Sequence, residues 1–121
     1  MIAEPRSVIF DYVDSLTTEA VFHWFPDDVG EVPCVVVGRP TLRFVSMQGA
    51  ATFPVIVVGR NLTDDAQAEL DTLTDELAGQ LFKGVPGLTV RVIAVDPAVE
   101  SIGGSDFPVY VITLEYLGNY C

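Results

Sequence analysis

Two stretches of this chain constrain its fold more than any others: PCVVVGR at 33–39 and PVIVVGR at 54–60. Each opens on proline, runs through apolar β-formers and closes on Gly-Arg. A strand with one wet face alternates polar and apolar residues. These runs do not alternate, so they predict strands covered on both faces. Proline suits the start of a strand, where no ladder N–H is required, and glycine lets the chain turn after it. A third segment, FPVYVITLEY at 107–116, begins in the same way but lacks the Gly-Arg ending. The repetition therefore reads as strand punctuation, and seven residues are too short an echo to argue a duplication.

Around these strands the pattern predicts two helices. Pro5 suits a first helical turn, and Val8, Ile9, Tyr12, Val13 and Leu16 form an apolar stripe, so residues 5–17 are expected to be an amphipathic helix. The clearest element is NLTDDAQAELDTLTDELAGQLFKG. Thr63 or Asp64 is its N-cap, Ala66, Leu70, Leu73, Leu77 and Leu81 form its buried stripe, and Lys83-Gly84 closes it before Pro86. Gln67, Asp71, Thr74, Asp75 and Gln80 are assigned to its polar face. AVFHWF (20–25) fits a strand or a packed loop, and PDDVGEVP (26–33) a turn. TLRFVSM (41–47) is a weaker strand candidate, joined by a small-residue connection at 48–52. Residues 87–96 are expected to place Leu88, Val90, Val92 and Ala94 on one face, with 97–106 a loop around Gly103-Gly104 and 107–120 the last strand and tail. The sum is an α+β chain, two helices on a mostly antiparallel sheet, in a single domain over 1–121.

Composition narrows the function. The chain has 121 residues, half of them hydrophobic, which suits one compact domain. So small a domain does not hide every apolar side chain, and the surplus leans toward a subunit interface. Seventeen acidic residues against six basic ones give a formal net charge of −11, a poor endowment for gripping phosphates. Cys34, in an apolar run, and the terminal Cys121 make neither a disulfide framework nor a metal site, which fits a reducing compartment. No secretory signal is read at the N-terminus, and no apolar run approaches the ~20 residues of a membrane span.

The search for chemistry finds little. His23, the one histidine, lies between Phe22 and Trp24, a setting more typical of packing than of a general base. Cys34 lacks an activating partner at any recognisable spacing. Asp27-Asp28, Asp64-Asp65 and Asp75-Glu76 lack the alternation of a calcium loop. GRNLTDD passes from a strand into a helix, yet it has no P-loop lysine, and its acids repel a phosphate. No catalytic residue, metal site or cofactor is expected. Among the six basic residues, Arg39, Arg43 and Arg60 lie in or beside the strands, with Arg39 and Arg60 at equivalent strand ends. They are the candidate interface residues, drawn to acids in the same subunit or a neighbour. The alternative is that exposed strand-end arginines simply keep the sheet soluble.

The order of PRSVIFDYVDSL, PCVVVGRP, FPVIVVGR, TDDAQAELDTLTDELAGQL and a β-rich final third resembles the tail terminator, or tail-completion, proteins of long-tailed bacteriophages, especially those of actinobacterial phages. The likeness spans most of the chain in order and texture and rests on no short diagnostic motif. It implies a non-enzymatic virion protein, assembled in the host cytoplasm, that forms a hexameric ring. Such a ring caps the tail tube, stops its polymerisation and meets the head connector, while DNA passes through the lumen without specific binding. A negative lining suits that passage. A head–tail connector or another minor tail protein is the nearest alternative. A small α+β enzyme or ligand-binding domain built on His23 and Cys34 is the more distant one.

Overall fold

The computed structural model describes residues 3–17, 19–22, 33–45, 48–61, 63–102 and 104–119. Helix α1 (Ala3–Leu16) leads into β1 (Ala20–Phe22), followed by β2 (Cys34–Val37), β3 (Thr41–Val45) and β4 (Gln48–Val58). Helix α2 (Asp64–Phe82) then precedes the long hairpin of β5 (Val90–Ile102) and β6 (Ser105–Asn119). The expected α+β class is the observed one: two helices and a six-stranded sheet in the order β1-β2-β4-β6-β5, with β3 also paired to β4. All pairings are antiparallel except β1 with β2. Because β6 lies antiparallel between them, β4 and β5 run the same way, and α2 crosses over as a split βαβ unit.

The two apolar runs occupy the middle of this sheet. Cys34–Val37 and Val55–Val58 are buried on both faces. On one face Val35, Val37, Phe53, Val55, Val57, Ile112 and Leu114 pack with Ile9 and Val13 of α1 and Leu70, Leu77 and Leu81 of α2. On the other, Cys34, Val36, Ile56, Val58 and Val109 form a second cluster with Ile102 and Phe107 from the hairpin end. Thr63 is the N-cap of α2, its hydroxyl accepting from the Ala66 amide. Gly84, at φ 110°, ends that helix, with its amide donating to the Leu81 carbonyl.

The recurring proline and glycine turn out to be partners across strands. The Gly38 amide donates to the Pro54 carbonyl at 2.8 Å, and the Gly59 amide donates to the Pro108 carbonyl at 2.8 Å. A Cβ on Gly38 would stand 2.9 Å from Pro54 Cγ, and one on Gly59 3.2 Å from Pro108 Cγ and 3.1 Å from Leu70 Cδ2. The VVG ending of one strand thus receives the FPV of the next, first between β2 and β4, then between β4 and β6. Proline removes an N–H and brings a ring, and glycine opposite it leaves the ring room.

Several expectations need correction. Pro54 and Pro108 do not begin their strands, since β4 starts at Gln48 and β6 at Ser105. Residues 48–52, expected to be a connection, are the first half of β4 and pair with both β3 and β6. Val37 pairs with Val55 but Thr41 with Thr52, so Gly38, Arg39 and Pro40 stand opposite Phe53 and Pro54 in a bulge. The N–H that Pro54 lacks would point at this bulge, where the ladder is already broken. Residues 97–106, expected to be a loop, are mostly strand. Pro97 pairs with Tyr110 and Ile102 with Ser105.

The Pro108 carbonyl faces β4, so Val109 turns its amide to β5 and pairs with Ala98 there. By the same alternation, Val95 and Val99 turn theirs to the outer edge, which no described strand covers, and Pro97 between them costs no ladder bond. Ala94 does not share a face with Val90 and Val92, because Ile93 is an extra residue in the β5 ladder. Thr74 is buried, not on the polar face, and its hydroxyl finds no hydrogen-bond partner among the described residues. His23, the 26–32 turn and Cys121 lie outside the described residues.

Candidate assembly surface

The three strand arginines do not form one site. Arg39 sits, exposed, in the bulge between β2 and β3. Arg60 follows the far end of β4, which runs antiparallel to β2, so the two look-alike Gly-Arg ends point to opposite ends of the sheet. Along the strands they are separated by roughly 20 Å at the usual rise per residue. Arg43 pairs with Ala50 at the backbone of β3, nearer to Arg39.

Their roles diverge as well. The Arg60 Nε lies 2.9 Å from Glu69 Oε1, which ties the strand end to the second turn of α2. Both side chains are about half exposed, so the pair contributes little to stability. Arg91 pairs with Glu115 across β5 and β6 at 2.7 Å, and Arg6 Nη2 donates to the Val37 carbonyl at 3.2 Å. Among the described residues Arg39 and Lys83 make no ion pair. Of the expected interface residues, Arg60 is therefore held within its own subunit and Arg39 is presented outward.

The outer surface of α2 is strongly acidic. Asp64, Asp65, Glu69, Asp71, Asp75 and Glu76 are all exposed, and the helix carries no basic residue. Asp64 and Asp65 suit the positive helix start. Asp71 accepts from Gln67 Nε2 at 2.9 Å and from the Tyr110 hydroxyl. That hydrogen bond, aided by burial and by the charges of Asp71 and Asp75, raises the Tyr110 pKa above its ordinary value of 10.0.

A groove of about 270 Å³ lies between the end of α1 and α2, lined by Leu16, Thr17, Glu19, Leu73, Glu76 and Leu77. Its described polar groups are two carboxylates and the Thr17 hydroxyl, which accepts from the Glu19 amide. Cys34 is fully buried in the second cluster, far from the exposure a reactive thiol needs. Among the described residues no three His, Cys, Asp or Glu side chains gather as a metal site. No described helix is long and apolar enough to cross a membrane.

No protein-family model matches the chain, and no curated protein matches its sequence. The site must therefore be read from geometry.

The surface that sequence reasoning missed is β5. It is the last strand in the sheet order, and its hairpin continues past the end of β4, whose last partner on β6 is Val109. Ile93, Val95 and Val99 are 46%, 40% and 58% exposed there. A strand carrying three such side chains beside a free edge is what a protein partner covers. The VIAV alternation at 92–95 was the available signal, but Pro97 and Gly103-Gly104 disguised its continuation as a loop. At the far side of the sheet, β3 pairs only with β4 among the described residues and presents Leu42 at 38% exposure. Phe82, 77% exposed, marks the last turn of α2.

Proposed function

We propose that this chain is a structural assembly protein, a subunit of a ring that caps the tail tube of a long-tailed bacteriophage. The ring, taken as a hexamer, halts tube polymerisation and offers the joint to the head connector. The observation that carries the reading is the apolar edge of β5, which calls for a protein partner rather than a small substrate. The fold supports it in a second way. Among the described residues the sheet has unpaired edges on two sides, and two different edges can join neighbouring copies of a ring.

The acidic face of α2 gives the ring a surface that DNA passes without adhering, since it supplies no cation to replace the counterions of the phosphates. Phe82, exposed on the same helix, is an apolar side chain available to a protein partner. The role requires no cofactor and no catalytic group, and it places the protein in the virion tail or neck after assembly in the host cytoplasm.

The test is mass by light scattering combined with negative-stain images, with and without tail tubes assembled from the cognate tube protein. A ring seated on tube ends, with tube growth arrested, is the expected result. Binding to the connector without effect on tube length would reassign the chain to another neck component. A protein that engages neither tube nor connector would end the proposal.

A further inference from the structure

We propose that the subunits join head to tail, with the β5 edge of one copy seated on the β3 edge of the next. This deepens the ring reading by naming the surfaces, and it rests on that reading only for the ring's purpose.

The two edges lie at opposite sides of one sheet, and both expose apolar side chains: Ile93, Val95 and Val99 on β5, Leu42 on β3. Their charges are opposite. Along β5, Asp96 is exposed and Glu100 half-buried, and neither has an ion pair among the described residues. Beside β3, Arg39 is an exposed cation with no ion pair among the described residues. In a chain of net charge −11, most pairs of surfaces repel, and an edge bearing an available arginine is a rare match for an acidic one.

The same facts argue against the symmetric alternative. Pairing β5 with β5 of a second copy would bring Asp96 and Glu100 of both copies together. Pro97 also removes the middle of three outward amides, so β5 cannot extend its ladder without a break. The contact is therefore side-chain packing with a short run of main-chain bonds, between two different surfaces. Contacts of that kind close into a ring when the rotation between copies permits.

The full chain is compared by analytical ultracentrifugation with two variants, Arg39→Glu and the double substitution Asp96→Arg with Glu100→Arg. Circular dichroism and thermal melts verify that each is folded. Each variant alone is expected to self-associate at least ~10-fold more weakly than the parent. The equimolar mixture of the two is expected to recover association, because every contact is then either native or charge-reversed on both sides. A symmetric β5 contact leaves Arg39→Glu associating as the parent does, and that result, or a mixture that fails to recover, overturns the proposal. So does a parent chain that stays monomeric at several hundred micromolar, or variants that associate as the parent does. The outcome is separable from the tail reading. Rings that persist in the edge variants and still cap tubes would sink this inference alone, and edge-dependent rings that ignore tubes would sink the tail role alone.

Discussion

The centre of the sheet and its β5 edge are built from similar residues to opposite effect. In β2 and β4, valines and isoleucines are buried on both faces, fixed between two helices and a second cluster. In β5 Ile93, Val95 and Val99 are about half exposed, while Val90 and Val92 pack against the core. Composition does not separate the two regions. What separates them is what the topology supplies: strands on both sides of β4, with β2 and β3 on one and β6 on the other, but only β6 beside β5 among the described residues. The centre uses apolar side chains for stability, and the edge leaves them partly exposed.

That contrast is breakable. Phe53, among the largest of the fully buried side chains, should be the costliest single truncation. Phe53→Ala is expected to lower unfolding free energy by about 3–5 kcal/mol in a urea titration. A loss under 1 kcal/mol would mean that the centre is not the stabilising region. Gly38→Ala is next, expected to cost about 1–3 kcal/mol, because the new methyl meets the Pro54 ring within a strand. Adding Pro54→Ala should recover part of that loss, and strict additivity in the double-mutant cycle would refute the Gly–Pro pairing as its cause.

Thr74→Val sharpens the comparison from the other direction. It removes a buried hydroxyl that has no partner, and thermal melts should show a gain of up to about 1 kcal/mol. A marked loss would reveal a hydrogen bond that the hydroxyl does make. At the edge, Val99→Ser should change monomer stability by no more than about 0.5 kcal/mol while weakening self-association.

The smallest effect is in alkali. The folded state raises the Tyr110 pKa, so the native form holds this proton more tightly than the unfolded chain does. Its contribution is complete below pH 10 and is lost as pH climbs through the raised value. Tyr110→Phe should flatten that part of the stability profile, and an unchanged slope would show that the Asp71 contact carries no weight.

How much was legible beforehand differs element by element. The helices were readable because their stripes and caps are local: Thr63, Leu70, Leu77, Leu81 and Gly84 act where their spacing says. The double burial of β2 and of the second half of β4 was readable from the lack of polar alternation. Residues 48–52 and 97–106 were not, because small residues, prolines and a Gly-Gly pair signal turns when the partner strand is unknown. Arg39 and Arg60 looked equivalent, yet antiparallel pairing sends them to opposite ends. For the candidate surface, the arginines were visible and the β5 edge was not.

By itself the sequence determined the class of elements, the apolar centre, the scarcity of cations and the paired proline–glycine punctuation. These follow from hydrophobic period and backbone restriction, which act over a few residues. Only the tertiary structure decided that each glycine faces a proline one strand away. It likewise decided that Pro97 lies on an edge that no described strand covers and that Val95 and Val99 stay partly exposed there. Those are properties of strand order and register, and strand order is set by contacts between residues far apart in the chain.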